Sequence, residues 1–289
     1  DMFKAAGVDL PDSDWLWADY VEAARRIREH YVAAGDTEKW GTAIVPGWWV
    51  EWLAHIHQAG GQLIGDDWLH SAVDSPEAVA GLRFYHDLVH TYKIAPEPRD
   101  MVSNPFLNQQ TAMEFAGHTN NWVGLRSHAT FAWDIATLPR HERGTHGGER
   151  VSIGFGINRD SKHRDLAWSF IKHFCSRKSM ETLTEAGWIP VRKSVADTFF
   201  FKRDADGNYV VGPPHKEVAY EALRHCREQS SLPEFASLAF YQAQPFIDAM
   251  MLADGPDKIS PEQCAAKISE KVTRAMLMEN RRNPEYDYR

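Results

Sequence analysis

Residues 46–61 read Pro-Gly-Trp-Trp-Val-Glu-Trp-Leu-Ala-His-Ile-His-Gln-Ala-Gly-Gly. Proline and glycine precede this run and two glycines follow it, a pattern typical of a helix with a defined start and end. Its first turn carries three tryptophans, each with an indole N–H that must find a partner when buried. The stretch predicts a helix over 48–59 that displays aromatic rings at its start.

Helices are predicted on both sides of this segment. One over 17–34 ends at Gly35, which suits a left-handed C-terminal cap, and one from Ser75-Pro76 ends near Tyr92. Further helices are expected from 161 to 174, then to 186, and near 214–228, 234–253 and 260–279. Short β-branched or aromatic runs predict strands at Thr111–Phe115, Phe131–Thr137, Val151–Ile157, Phe199–Phe201 and Tyr209–Val211.

Composition limits the possible partners. The chain has 289 residues, 43% hydrophobic and 25% charged, with a net charge of −8, which fits one large globular domain or two lobes. The negative charge argues against nucleic acid as the main partner. The longest apolar run, 249–253, is far shorter than the about 20 residues that span a bilayer. Three cysteines without C-x-x-C spacing predict neither a zinc site nor a disulfide framework. We expect a neutral or small partner.

Motifs for catalysis and metal binding are weak. Gly154–Arg159 lacks the third glycine of a dinucleotide fingerprint, and His86 and His90, four residues apart, lack the glutamate of a zincin motif. A sugar-cleaving pair of carboxylates would have to come from Asp66, Asp67, Glu114 and Asp134. Surface charge is the default interpretation of these acids. We expect no metal and no other cofactor.

The more specific pattern joins tryptophan and asparagine beside glycine or proline breaks. This cluster comprises Trp48, Trp49, Asn120, Asn121, Trp122 and Trp188. Aromatic faces offer apolar contact to the C–H face of a sugar ring, and amide groups match its hydroxyls through paired hydrogen bonds. Core packing is the competing interpretation for any single tryptophan. The cluster as a whole indicates a carbohydrate ligand.

A series of short segments also occurs in a characteristic order. They include Thr111-Ala-Met-Glu-Phe-Ala-Gly117, Trp133-Asp-Ile-Ala-Thr-Leu-Pro139 and Gly187-Trp-Ile-Pro190. The others are 1–11, 15–24, 59–61, 74–79, 153–157 and 162–171. The ordered set, over about residues 1–195, resembles the extracellular solute-binding proteins of ABC importers, the maltose-binding-protein-like family.

This resemblance implies an α/β, helix-rich, periplasmic-binding-protein-like two-lobe fold (type II), here mainly its second lobe. It implies a second-lobe body over 1–150, a return excursion to the first lobe over 151–187, and second-lobe C-terminal helices over 188–289. Because the chain starts at Asp1 without a methionine or an apolar signal core, we expect an upstream segment with most of the first lobe. We also expect residues 1–289 alone to associate through 152–187 or to be marginally stable.

Carried over by position, the resemblance also implies ligand-binding residues. They are Trp48, Trp49, Gly117, His118, Asn120, Asn121, Trp122, Gly148, Trp188, Arg192, Phe235 and Phe240. It implies a non-enzymatic protein outside the cytoplasmic membrane, in the periplasm or lipid-anchored, that binds a mono- to oligosaccharide and delivers it to the permease subunits of an importer.

Two alternatives remain open at this point. One is a binding protein of the same fold for a glycerophosphodiester or another phosphorylated polyol, with Arg126, Arg192 or Lys193 neutralising the phosphate. The other is a sugar-acting hydrolase. Salt sensitivity of binding distinguishes the first alternative from a sugar-binding protein, and product formation distinguishes the second.

Overall fold

The computed structural model describes residues 1–115, 121–150, 154–210, 212–228 and 235–282. Its α-helices are α1 (Met2–Ala6), α2 (Trp17–Ala33), α3 (Trp49–Gln58), α4 (Pro76–His90), α5 (Asn121–His128), α6 (Arg164–Phe174), α7 (Arg177–Glu185), α8 (Lys193–Val195), α9 (Glu217–His225), α10 (Phe235–Ser237), α11 (Gln244–Met251) and α12 (Pro261–Arg282). Helical turns of other types are Pro98–Asp100, Ala196–Phe200, Leu238–Ala243 and Gly255–Asp257. The helix-rich character predicted from sequence is confirmed. Within the described residues, no helix has both the length and the apolar character needed to cross a membrane.

One parallel pair of two-residue strands is described, β1 (Glu149–Arg150) and β2 (Arg227–Glu228), with Glu149 opposite Arg227. The chain forms two compact units. Unit 1 comprises Asp1–Gly117, Ala136–Arg150 and Glu221–Arg289, and unit 2 comprises His118–Ile135 and Val151–Tyr220. The assignment of 1–150, 151–187 and 188–289 to parts of two lobes stays a prediction.

Helix α3 lies at the centre of the hydrophobic core of unit 1. Every residue from Glu51 to Gln58 is buried, and α4 and α12 contribute further core side chains such as Leu82 and Ile268. Helices α3 and α4 approach closely at Gly81, where a Cβ atom would lie 2.5 Å from the carbonyl oxygen of His55. The core therefore encloses α3 on all sides over 51–58, and the polar side chains of Glu51, His55, His57 and Gln58 are buried with the apolar ones.

Unit 2 contains an aromatic cluster around a buried lysine. The rings of Phe201 and Tyr220 lie 4.9 Å apart, and Lys216 is fully buried with its Nζ 4.5 Å from the Phe200 ring and 4.2 Å from the Tyr209 ring. Lys216 also donates a hydrogen bond to the Phe200 carbonyl. Burial lowers the pKa of Lys216 to about 8, because removing the ammonium from water disfavours its charged form.

Helix α6 of unit 2 has an exposed apolar face. None of its residues is buried, and Leu166 and Phe170, four residues apart on one face, are 72% and 56% exposed. Trp168, which is 53% exposed, lies on the opposite side of the helix. Phe155 lies beside the face of Leu166 and Phe170, with its ring 6.0 Å from that of Phe170. We call Phe155, Leu166 and Phe170 the apolar patch.

The strand predictions fail where other contacts compete. Phe199–Phe201 is helical, because Phe200 is packed in the aromatic cluster of unit 2. Phe131–Thr137 is irregular and Asp134 there binds His215 instead of a neighbouring strand. Thr111–Phe115 shows one bridge, to Trp40, and Tyr209 one bridge, to Arg203. Residues 154–157 are irregular, while 151–153 and 211 lie outside the described residues.

Candidate ligand-binding site

The candidate site in unit 1 starts at a bend before α3. Residues 45–48, which we call the bend, lie in no helix or strand. Trp48 has extended backbone angles (φ −134°, ψ 122°) and forms the N-cap of α3, so Trp49 is its first helical residue. The two indole rings lie 6.3 Å apart and nearly perpendicular. Both side chains are half-buried, which leaves part of each ring open to a ligand.

Phe240 joins the two tryptophans. Its ring meets the Trp49 ring edge to face, with centroids 4.4 Å apart and planes at 81°, and Phe240 itself is 39% exposed. The Trp49 indole N–H is shielded from solvent, and no acceptor for it lies among the residues that the structure describes. We call Trp48, Trp49 and Phe240 the aromatic group. It offers partly exposed apolar ring faces.

Two other predicted residues of unit 1 have structural contacts. Phe235 is 5% exposed and packs in the core. Gly148 accepts a hydrogen bond from the backbone N–H of Arg227 at 2.8 Å. Beside it, Gly147 has φ +71° and lies against α3, where a Cβ atom would come within 2.6 Å of the Gln58 nitrogen. A side chain at 147 would therefore force the turn away from α3.

The remaining predicted residues belong to unit 2 or fall outside the description. Trp188 is half-buried and follows Gly187 (φ 103°), and Arg192 is exposed with its Nε donating to the Cys175 carbonyl at 3.1 Å. Asn121 and Trp122 begin α5, but their side chains are outside the described residues. Gly117, His118 and Asn120 lie wholly outside them.

Glu51 and His55 of α3 have buried ionisable side chains, and a third such side chain, that of Glu114, is half-buried near Glu51. Glu51 is 4% exposed, and burial raises its pKa well above the usual range, with a smaller contribution from Glu114. Burial also raises the pKa of the half-buried Glu114 and lowers that of His55 to about 4. In each case the uncharged form is favoured, because a low-dielectric interior penalises an ion. Charge on these three side chains is therefore disfavoured.

The cations that would bind a phosphorylated ligand, and two of the carboxylates that could serve a hydrolase, already make hydrogen bonds or ion pairs within the protein. Arg126 donates to the Glu185 carbonyl and Lys193 pairs with Asp197 at 2.6 Å. Among the carboxylates, Asp67 pairs with His70 and Asp134 with His215. No group of three or more His, Cys, Asp or Glu suited to a metal occurs within the described ranges.

Sequence reasoning missed two buried residues that hold the bend. Glu51 accepts a hydrogen bond from the Val45 N–H at 2.7 Å, and the Gln244 amide donates to the Pro46 carbonyl. The sequence could have indicated Glu51, because it is the only acidic residue in a helix with many apolar side chains. No comparable signal exists for Gln244, which is 198 residues from its partner.

Solved structures of binding proteins resemble this chain throughout its length. An ABC substrate-binding protein from Listeria monocytogenes in complex with cycloalternan matches with a TM-score of 0.77 and 19% identity over 96% of this chain and 67% of that one. The sugar-binding protein MalE from Xanthomonas citri matches with a TM-score of 0.72 and 16% identity over 99% and 69%. UgpB from Mycobacterium tuberculosis in complex with glycerophosphocholine matches with a TM-score of 0.75 and 18% identity over 96% and 67%.

These likenesses confirm the predicted fold class, the two-lobe fold of periplasmic solute-binding proteins. Their identities are low enough that they speak for the fold alone. The family assignment comes from a separate comparison, in which residues 1–181 match the family described as bacterial extracellular solute-binding protein. Since that match covers more than half of the chain, the protein belongs to the bacterial extracellular solute-binding protein family.

Proposed function

We propose that this protein captures a carbohydrate, a mono- to oligosaccharide, as the substrate-binding component of an ABC importer. The observation that carries the proposal is the aromatic group of unit 1, where Trp48, Trp49 and Phe240 present partly exposed ring faces. Such surfaces suit a sugar, which has apolar C–H faces and many hydroxyls. The sugar complexes among the similar structures support the same ligand class.

The remaining site residues belong to this proposal. Gly117, His118, Asn120, Asn121, Trp122, Gly148, Trp188 and Arg192 are proposed ligand contacts on the basis of sequence position. Phe235 is proposed to act from the core, by packing beneath the aromatic group. Binding without catalysis is proposed, with permease subunits as partners. The location is proposed to be the periplasm or the outer face of the cytoplasmic membrane, with a lipid anchor in the second case.

A phosphorylated ligand is the second candidate, favoured by the similarity to UgpB, which binds glycerophosphocholine. The cations available for it, Arg126, Arg192 and Lys193, already donate to protein acceptors. A phosphate would have to share those groups, whereas a neutral sugar would not.

Calorimetry distinguishes the candidates. Maltose, maltotriose, tagatose and glycerophosphocholine are titrated into the protein in low and high salt. We expect the affinity for a sugar to be nearly independent of salt, because a neutral sugar has no charge for salt to screen. Binding of a charged ligand would weaken, since salt screens ionic attraction over about 8–10 Å at physiological ionic strength. Preference for glycerophosphocholine with a tenfold loss of affinity in high salt would overturn the carbohydrate proposal. Release of cleavage products from a sugar would favour the hydrolase.

A further inference from the structure

The bend that carries Trp48 and Trp49 depends on side chains for its conformation. Residues 45–47 lie in no helix or strand, and Trp48 joins α3 only as its N-cap, where its carbonyl accepts from the Glu51 N–H at 3.2 Å. Gly47, which is exposed, adds freedom at the centre of the bend. Without other restraints, the two rings that begin α3 would sample several orientations. The hydrogen bonds that do reach the bend therefore decide how the aromatic group is presented.

Two buried side chains hold the bend from different helices. Glu51, in the first turn of α3, accepts a hydrogen bond from the Val45 N–H at 2.7 Å. Gln244, at the start of α11, donates from its amide to the Pro46 carbonyl. The two side chains are 4% and 7% exposed. Adjacent backbone groups of the bend are thus held, one as donor and one as acceptor.

The Gln244 amide is itself fixed in orientation. Its Oε1 accepts from the Trp52 indole N–H at 3.0 Å, and its Nε2 also donates to Asp248 Oδ1 at 2.8 Å. A flipped amide would place an oxygen against the Pro46 carbonyl and a nitrogen against the indole donor. These contacts give the glutamine one usable orientation, and that orientation aims its N–H at the bend.

We propose that Glu51 and Gln244 are positioning residues for ligand binding, which hold the bend so that Trp48 and Trp49 are already oriented before the ligand arrives. The inference rests on the proposed function, in which those rings contact the ligand. A ring that is ordered in the free protein loses less conformational freedom on binding, and affinity rises accordingly. Neither residue is exposed enough to serve as a ligand contact itself.

Burial raises the pKa of Glu51 and so favours the neutral form of its carboxyl. The ionisable groups facing it are Glu114, Tyr20 and Tyr85, and none of them supplies a compensating positive charge. A carbonyl oxygen is sufficient to accept the Val45 N–H. Glu51→Gln therefore keeps the contact with the bend, whereas Glu51→Met removes it at nearly unchanged side-chain length.

The test compares variants in two measurements. Glu51→Met and Gln244→Met remove the contacts with the bend, and Glu51→Gln is the conservative variant. Gln110→Met is the matched control, because Gln110 is 8% exposed in the same unit and its side chain binds Val102 and Asp100 instead of the bend. Hydrogen exchange of the peptide containing residues 45–49 is followed without ligand, and affinity for maltotriose is measured by calorimetry at a temperature where all variants are folded.

We expect the two bend variants to exchange faster at 45–49 and to bind maltotriose about 3- to 10-fold more weakly, while Glu51→Gln and Gln110→Met match the wild type in both. Unchanged exchange, or faster exchange with unchanged maltotriose affinity, would overturn the inference. Failure of the wild type to bind maltotriose would instead count against the proposed function for that sugar. In that case faster exchange in the bend variants still supports the positioning role, and unchanged exchange overturns it.

Discussion

Trp49 contributes to both the core and the candidate site. Its ring packs against the core of unit 1 and against Phe240, while its shielded N–H has no acceptor among the described residues. Trp49→Ala would therefore disturb the core as well as remove a ring from the candidate site. Trp48 is not part of the core, and its replacement is therefore the clearer test of ligand contact.

Trp48→Ala is expected to weaken binding of the preferred sugar by about 10- to 100-fold, since truncating a stacking aromatic at a binding site costs a few kcal/mol. Calorimetry measures the affinity. The same direction is expected for Trp49→Ala and Trp122→Ala. Trp168→Ala is the control, because Trp168 is 53% exposed on α6. Unchanged affinity in all three site variants would remove the stacking role.

Burial of His55 makes the unfolding free energy depend on pH. Burial lowers its pKa to about 4 in the folded protein, against about 6.5 in an unfolded chain. Below pH 6.5 the unfolded chain therefore binds a proton that the native protein does not, so the contribution of His55 is full above pH 6.5 and is lost as the pH falls towards 4. Glu51 and Glu114, with raised pKa values, act in the opposite direction above pH 4.5.

His55→Gln isolates this contribution. Between pH 6 and pH 4.5, the unfolding free energy of the wild type should fall relative to that of the variant by about 1.4 kcal/mol per pH unit. Urea titrations at each pH measure the difference. His215→Gln is the comparison of opposite sign, because Asp134 raises the His215 pKa and its contribution is lost as the pH rises. That effect should be small, since His215 is 62% exposed. If the difference in unfolding free energy between the wild type and His55→Gln did not change with pH, protonation of His55 would not be its cause.

At the scale of elements, α3 and α4 show how a single small residue sets a packing distance. Gly81 of α4 faces the α3 backbone, and a Cβ atom there would lie 2.5 Å from the His55 oxygen and 2.6 Å from the Ile56 Cα. Both contacts are backbone atoms, which cannot move aside as a flexible side chain can. The two helices must separate to admit a methyl group.

Gly81→Ala should therefore destabilise unit 1 by about 1–3 kcal/mol, as overpacking in a core does. Gly124→Ala is the matched control within α5, where no atom of the described residues lies within 4 Å of the position that a Cβ would occupy. That variant should be neutral or more stable, because alanine favours a helix by about 1 kcal/mol over glycine. Thermal melts followed by circular dichroism measure both. Equal effects of the two variants would show that helix propensity, and not the approach of α4 to α3, decides the result.

The helices were predictable because their signals are local. Ser75 caps α4 by accepting from the Ala78 N–H, Pro76 follows in the first turn, and Gly35 has the left-handed φ of 85° that ends α2. Strands at 131–137 and 199–201 were predicted wrongly, because distant contacts of Asp134 and Phe200 outweigh residue preference. The pairing of Trp49 with Phe240 required the folded chain.

At the scale of the whole molecule, the apolar patch of unit 2 brings several exposed apolar side chains together. Burying apolar surface is favourable by about 25 cal/mol per Å², and contiguous exposed patches promote association. Leu166 and Phe170 are more than half exposed in this patch. We therefore expect the 289-residue chain by itself to associate as its concentration rises.

Sedimentation velocity over a range of concentrations tests this. Leu166→Ser with Phe170→Ser should shift the chain towards the monomer, because the double variant removes apolar side chains that are exposed already and so leaves the core intact. Leu10→Ser is the control, since Leu10 is 68% exposed but belongs to unit 1. A wild-type chain that stays monomeric at all concentrations would contradict the prediction.

The enclosure of Lys216 has a practical consequence for chemical labelling. Amine-reactive esters acylate a lysine only when its nitrogen is accessible, and this nitrogen lies between the Phe200 and Tyr209 rings. Its pKa of about 8 means that a substantial fraction would be the reactive free amine at mildly alkaline pH, so access and not protonation limits the reaction. The acylation rate of Lys216, followed by mass spectrometry against that of the 87% exposed Lys193, therefore reports how often the surrounding rings separate.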